Sequence, residues 1–282
     1  MPRNEAREAI AITARAYRYD VGAAGSGATR EVAVESPIEI AFGGAPFAVM
    51  MATPSHLEDF ARGFALTEGI IERVGEIRAI EVIIDATSAR VNVTLTGERM
   101  RAHLARKRAM TGRTGCGICG IEDIEHLPRT RRRLMACAAV SPHVIGAAVR
   151  ALDGAQPLNA RTRAVHAAAW CGRDGAMRCV REDVGRHNAL DKLIGALLRN
   201  RADPQDGFVV ITSRCSFEMV AKTAAFGAGT LVSLSAPTSL ALARAEECGV
   251  ALIAVARADQ ASTFGAAVID FHQGATLEPR KN

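Results

Sequence analysis

The chain has 282 residues, 49% of them hydrophobic and 23% charged, with 35 Lys plus Arg against 30 Asp plus Glu and a formal net charge of +5. That is enough chain for a sizeable core, and 25 Gly and 10 Pro without a period, with no apolar run of roughly 18 residues, exclude collagen-like, low-complexity and membrane-spanning classes. An odd seven cysteines, an N-terminus without a signal-like apolar segment and only 4% aromatic residues predict a cytoplasmic protein with reduced thiols and no base-stacking platform for nucleic acid.

Residues 1–30 are weakly patterned and approach Gly22-Ala-Ala-Gly-Ser-Gly27, which reads as a flexible lead-in. An α+β subdomain is expected over 31–110. Val32, Val34, Ile38 and Ile40, then Phe47, Val49 and Met51, alternate on either side of Gly43-Gly44, the pattern of two antiparallel strands with a tight turn. Thr53-Pro54-Ser55 opens a helix, with Ser55 and Glu58 at capping-box spacing and Leu57, Phe60, Ala61 and Phe64 on one face. Gly69 lies near its end. Ile80, Val82 and Ile84, then Val91, Val93 and Leu95, make a second hairpin.

Residues 111–141 are expected to be a mobile Cys-x-x-Cys loop with a basic connector, and 142–282 a C-terminal subdomain. There, Met177–Val180 is a strand leading into Glu182-Asp-Val-Gly-Arg-His187 and a helix with Leu190, Leu193, Ile194, Leu197 and Leu198 at helical spacing. Strands at 208–211, 230–234 and 250–255 alternate with helices at 216–226 and 237–248. The whole is therefore α/β, with a largely parallel C-terminal sheet and right-handed crossovers. Ligands bind outside the carboxyl ends of such strands, an edge that carries Glu182 to His187, Ser213-Arg214, Ser235 and Arg257.

The most unusual chemistry is Thr111-Gly-Arg-Thr-Gly-Cys116-Gly-Ile-Cys119-Gly120. Glycine at this density resists helix and strand, and an arginine such as Arg113 beside free backbone N–H groups is a setting expected to favour a thiolate. Three chemistries fit a Cys-x-x-Cys here: half of a structural zinc site, a redox pair, or a sulfur carrier whose cysteine holds a persulfide. A closed zinc site needs further ligands, such as Cys137, Cys171 or His126, and a redox pair normally opens a helix after a strand. Between Arg99 and Arg133 stand ten cations and three anions, a net +7 that leaves the remainder of the chain at −2. That concentration suits phosphates or an acidic partner surface. At the two strand-to-helix junctions, Glu182–Lys192 and Ser213–Met219, hydroxyls, a guanidinium and helix N-termini together favour an anion-binding crevice.

Seven ordered segments resemble the formate dehydrogenase accessory sulfurtransferases of the FdhD family, over about Glu31 to Phe264. They are Glu35-Ser-Pro-Ile, Thr53-Pro54 through Glu58-Asp59 and Gly63-Phe64 to Glu68-Gly-Ile-Ile71, Arg113-Thr-Gly-Cys-Gly-Ile-Cys-Gly120, His166-Ala-Ala-Ala-Trp170, Glu182–Lys192, Ser213-Arg-x-Ser-Phe-Glu-Met-Val-x-Lys222 and Ser235-Ala-Pro-Thr-Ser-Leu240. The resemblance implies a cytidine-deaminase-like C-terminal fold, a homodimer, and a relay in which sulfur from a cysteine desulfurase passes to the molybdenum or tungsten bis-guanine-dinucleotide cofactor of formate dehydrogenase. Cys116 would bear the persulfide and Cys119 assist. Cofactor contacts would come from Val255, Ala256, Arg257, Ala258, Asp259 and Gln260, with Ser213, Arg214, Asp183, His187 and His166. A chaperone that escorts the cofactor without moving sulfur is the alternative. Zinc deamination is disfavoured, because Ala167 and Ala168 follow His166 and the H-x-E glutamate is missing. The chain departs from the family at Thr162-Arg-Ala-Val-His166, where Thr-Gly-Gly is usual before the His, and at Thr263-Phe-Gly265, where Val-Tyr-Thr is usual.

Overall fold

A computed structural model describes residues 9–18, 26–109, 133–134 and 140–264. In chain order its elements begin with β1 (Ala11–Arg18), β2 (Ser26–Ala33), β3 (Ser36–Phe42), β4 (Ala45–Ala52), α1 (Leu57–Thr67), β5 (Ile77–Ile84), β6 (Ala89–Leu95) and α2 (Gly97–Ala109). They continue with α3 (Pro142–Gly154), α4 (Pro157–Thr162), β7 (His166–Gly172), β8 (Met177–Asp183) and α5 (Arg186–Arg199). The last are β9 (Gly207–Ile211), α6 (Phe217–Phe226), β10 (Thr230–Ser233), α7 (Ser239–Cys248), β11 (Ala251–Ala254) and β12 (Ser262–Phe264). This is the expected mixed α/β class. Among the described residues no helix is long and apolar enough to cross a membrane.

The chain forms two compact units: residues 1–129, 156–168 and 181–201 make the first, and 130–155, 169–180 and 202–282 the second. The first unit takes in residues 156–168 and 181–201 from the C-terminal part of the chain. The reason lies in the first unit, where α5 packs lengthwise on α1. A Cβ on Gly63 would lie 1.8 Å from the Asp191 carbonyl oxygen, and one on Gly195 would lie 1.7 Å from that of Asp59. Only glycines let the two backbones approach so closely, so residues 186–199 are tied to the N-terminal sheet despite their place in the sequence.

In that unit the sheet order is β4-β3-β6-β5, with β3 parallel to β6 and the other pairs antiparallel. Gly43 and Gly44 both have positive φ, 58° and 80°, which is what a two-residue hairpin turn between right-twisted strands requires. Ile38, Ile40, Phe42, Val91 and Val93 are buried, as are Phe60 and Phe64 of α1. The lead-in expected over 1–30 contains strands: β1 and β2 pair antiparallel, with Ile12 opposite Val32. Their Ala, Thr and Arg content hides a period-2 signal. Arg161 of α4 donates through Nε and Nη2 to the Glu31 carboxylate and anchors the ribbon. That hydrogen bond holds the Glu31 carboxyl below its usual pKa.

Helix α1 starts later than Ser55 suggests. His56 occupies the N-cap in the left-handed conformation (φ 52°, ψ 38°) without a side-chain capping bond, so the box expected from Ser55 and Glu58 does not form. Helix α2 closes the segment 31–110, just before the expected connector. Its N-terminal half is fixed by Arg99, whose guanidinium donates to the carbonyls of Ile70 and Gly69 (2.5 and 3.1 Å), and by His103, whose ring sits 5.3 Å from Phe42 and 5.7 Å from Phe47.

The six-stranded sheet runs β12-β11-β10-β9-β7-β8. Strands β9, β10 and β11 are mutually parallel and β12 is antiparallel to β11. β9 and β10 are buried along their whole length, as expected of strands covered on both faces.

Candidate functional site

Cys116, Cys119 and the surrounding loop lie outside the described residues, as does Cys137. The other cysteines are described, and most are sequestered: Cys171, Cys215 and Cys248 are buried and Cys179 is partly so. Burial pushes the Cys171 thiol up to about 12, with the Asp174 charge adding to it, and burial alone does the same to Cys215. Such thiols carry almost no thiolate near neutral pH and are poor nucleophiles. Among the described residues no group of three or more His, Cys, Asp or Glu is placed to hold a metal ion.

At the junction between β8 and α5, in the first unit, the Asp183 carboxylate is enclosed by hydrogen bonds, while Arg186 Nε is buried without a hydrogen-bond partner among the described residues. Asp183 has 0% exposure. Its Oδ2 accepts from the backbone N–H of Thr53 (3.1 Å) and pairs with Lys192 Nζ, while Oδ1 accepts from the N–H of Gly185 (2.8 Å) and from Asn188 Nδ2 (3.2 Å). Four donors fill a carboxylate's acceptor sites. Lys192 also donates to the Thr53 carbonyl at 2.7 Å, Asn188 to that of Met51 at 2.8 Å, and the Val184 N–H to Thr53 Oγ1 at 3.2 Å. Burial pulls the Lys192 ammonium below its usual pKa, with Asp183 opposing. Glu182 is also committed, accepting from the Leu158 and Asn159 N–H groups at 2.9 and 2.8 Å. Nearby, Asp59 accepts from Arg181 and Arg199 at 2.8 Å, and these bonds outweigh its burial and hold its carboxyl low. His187, in the first turn of α5, and His166, at the start of β7, are partly buried.

The second unit presents a different arrangement at the carboxyl ends of β9, β10 and β11. Ser213 is buried, and its carbonyl accepts from Ser233 Oγ at 2.9 Å; Arg214 is exposed. Ser216, the N-cap of α6, makes no side-chain cap, and its Oγ is buried without a hydrogen-bond partner among the described residues. Cys215 between them bridges to Pro237.

After β11 the chain turns through Val255, whose φ of +52° is rare for a β-branched residue. The strained turn is pinned by Val255 N–H to Ser235 O (3.2 Å), Ala256 N–H to Ser233 O (3.0 Å) and Arg257 N–H to Gln260 O (2.7 Å). Ala256 is buried, whereas Val255, Arg257, Ala258, Asp259 and Gln260 are exposed. Arg257 Nη1 donates to the carbonyls of Leu234 (2.6 Å) and Ala256 (2.9 Å). Those bonds fix the guanidinium and leave its Nε and Nη2 edge uncommitted among the described residues, the edge that grips an oxyanion bidentately. Backbone strain held by surrounding bonds is characteristic of a ligand site.

The structure thus brings Ser213, Arg214 and the 255–260 turn together at one edge of the second unit, and puts Asp183, His187 and His166 in the first. Two supports escape sequence reasoning. Gly146 of α3 admits the turn, since a Cβ there would lie 2.4 Å from the Ala258 carbonyl oxygen, and Arg150 Nη1 donates to the same oxygen at 3.0 Å. A glycine four residues before an arginine in mid-helix is the one signal available. Ser216 stands within the Ser213–Lys222 segment, but nothing in sequence distinguishes an unused cap from an ordinary one.

Comparison with known proteins gives concordant findings. The sequence matches the FdhD/NarQ family over residues 33–267. It is 47% identical over 226 residues to the sulfur carrier protein FdhD of Xanthomonas euvesicatoria pv. vesicatoria, covering 80% of each chain. It is 45% identical over 236 residues to that of Bordetella petrii, covering 83% of this chain and 84% of the relative. A solved structure from Desulfotalea psychrophila, described as that of a formate dehydrogenase accessory protein, superposes with a TM-score of 0.72 at 26% identity, over 92% of this chain and 98% of the other.

Proposed function

The chain belongs to the FdhD/NarQ family, and from that premise we propose that it is a sulfur carrier in formate dehydrogenase maturation, moving sulfur from a cysteine desulfurase to the molybdenum or tungsten bis-guanine-dinucleotide cofactor. The observation that carries the reading is the match to relatives named as sulfur carriers over a span that includes Cys116-Gly-Ile-Cys119, the sequence's one Cys-x-x-Cys.

The first step is thiolate attack by Cys116 on the outer sulfur of the donor's persulfide. A new S–S bond forms at Cys116, the donor's S–S bond breaks, and the donor leaves as a thiolate, with no net oxidation. Cys119 completes the second step. Its thiolate attacks the Cys116 sulfur, a Cys116–Cys119 disulfide forms, and the outer sulfur departs as sulfide to the acceptor. The two electrons that reduce it come from the two thiols, and an external thiol reductant resets the pair.

The acceptor is cargo, and the rim of the second unit fits its pyrophosphates. The unused Ser216 hydroxyl at the N-terminus of α6 and the open edge of Arg257 offer hydrogen bonds to phosphate oxygens, with the positive end of the helix dipole behind them. Asp183, with no acceptor site left, acts in this reading by positioning the β8–α5 junction. Localisation in the cytoplasm and a homodimer complete the proposal, the latter checked by light scattering.

Cys116→Ala is expected to abolish formate dehydrogenase activity in cells, and Cys119→Ala to lower it. Mass spectrometry after incubation with desulfurase and cysteine separates carrier from chaperone. One added sulfur on Cys116 is expected, and its absence in the wild-type protein would defeat the assignment.

A further inference from the structure

We propose that Arg150, on α3, is a positioning residue for the rim of the second unit: it fixes the 255–260 turn from outside and so holds Arg257 ready for a diphosphate, an inference that rests on the reading of that rim as the cargo site. Residues 255–261 join β11 to β12, and the two halves of this turn are held differently. Val255 N–H, Ala256 N–H and Arg257 Nη1 donate to the carbonyls of Ser235, Ser233 and Leu234, which ties the first half to the end of β10. Among the described residues, the bond from Arg150 Nη1 to the Ala258 carbonyl, at 3.0 Å, is the one hydrogen bond that ties residues 258–260 to another element.

Helix α3 is shaped for that bond. Gly146 and Arg150 stand one turn apart on the same helix face, and a Cβ on Gly146 would lie 2.4 Å from the Ala258 carbonyl oxygen and 3.4 Å from Arg150 Nη1. A side chain at 146 would therefore push the carbonyl off the guanidinium. What the bond does follows from the strain beside it. Val255, at φ +52°, stays in a sparsely populated conformation only while its surroundings over-determine it. The Arg257 N–H donates to the Gln260 carbonyl at 2.7 Å and closes the turn, so a shift of Ala258 passes to Arg257. Arg150 is exposed, and a hydrogen bond open to water adds little to folding stability. Its effect falls instead on preorganisation, because a guanidinium already held in place loses less freedom when it takes an oxyanion.

The test is guanosine diphosphate binding to the full chain, read by calorimetry, with the urea midpoint measured alongside. Arg150→Met is expected to weaken binding about tenfold with the midpoint nearly unchanged. Arg150→Lys keeps a donor for the Ala258 carbonyl and is expected to recover affinity to within about threefold of wild type. Gly146→Ala is expected to weaken binding as Arg150→Met does. Gly154→Ala, in the same helix but with nothing within 4 Å of its Cβ position, is expected to leave affinity within about twofold. Because Arg150 acts through Arg257, adding Arg150→Met to Arg257→Met is expected to cost less than about twofold more. Wild-type affinity in Arg150→Met overturns the positioning role and leaves the rim standing. So does full multiplication of the two losses, since Arg150 would then hold phosphate itself, and so does a fall in midpoint that lysine does not restore, which makes Arg150 a residue of the fold. Failure of the wild-type protein to bind guanosine diphosphate overturns the reading of the rim, and the positioning role with it.

Discussion

The junctions β8–α5 and β9–α6 both run from a strand through a short polar turn into a helix, and they use their polar side chains differently. At the first, Asp183, Lys192, Asn188 and Thr53 bind one another and the surrounding backbone until the Asp183 carboxylate is saturated. At the second, the Ser216 hydroxyl is unused, and in the turn after β11 at the same sheet edge Arg257 keeps an edge uncommitted among the described residues and Val255 sits in a strained conformation. A carboxylate that is saturated by its surroundings is architecture, even though Arg186 Nε at the same junction is buried without a hydrogen-bond partner among the described residues. An edge that leaves polar groups unspent and backbone strained is ready for a ligand.

The contrast can be broken most forcefully at Lys192. Replacing it by Met leaves Asp183 charged, buried and short of its ion-pair partner, a change expected to cost about 3–5 kcal/mol in a urea titration. If Lys192→Met were as stable as wild type, the β8–α5 network would lose its structural role. Ser216→Ala is the mirror experiment. Its hydroxyl makes no bond in the structure, so stability should stay within about 0.5 kcal/mol, while guanosine diphosphate affinity, read by calorimetry, should fall about tenfold for one lost hydrogen bond to phosphate. A stability loss without an affinity loss would reverse that assignment.

A smaller effect sharpens the same contrast at Val255. Glycine relieves the left-handed strain but enlarges the unfolded ensemble, so Val255→Gly should raise stability by only about 0.5 kcal/mol and weaken guanosine diphosphate binding by loosening the turn. The smallest effect belongs to His56. Partial burial, then the charges of Arg181 and Lys192, hold its imidazole below the usual 6.5 although much of the side chain is exposed. The unfolded chain takes up this proton near pH 6.5 and the folded chain only at lower pH, so stability is lost as pH falls below that value. His56→Gln should flatten the urea midpoint between about pH 7 and about pH 5.5 relative to wild type.

Sequence patterns carried further in some segments than in others. The alternation from Gly207 to Ala254 was legible because buried parallel strands and amphipathic helices have distinct periods, and Gly43-Gly44 was legible because a tight hairpin needs two positive φ values. Helix α2 was hidden by its cations, which resemble a solvated run until the packing of Arg99 and His103 is known. Helix α3 was hidden by its small residues and Gly146. In the site, Ser213, Arg214 and Arg257 were read from their place at a sheet edge, and the rest of 255–260 from the family resemblance. Asp183 was read from the same signal, but whether a carboxylate faces a ligand or a lysine depends on partners 130 or more residues away in Thr53 and Met51, which no local pattern reveals.

The glycine contact between α1 and α5 sets a timetable for synthesis. Gly63 and Gly195 are 132 residues apart, and at about 5–20 residues per second a ribosome needs roughly 7–26 s to cover that distance. Throughout that interval α1 has been made but the helix that covers it has not, so the apolar side of residues 57–67 waits exposed. The first unit, despite containing the N-terminus, cannot close until some 70% of the chain has emerged. In living cells, then, the yield of this protein should depend on translation speed and chaperone supply more than its equilibrium stability suggests.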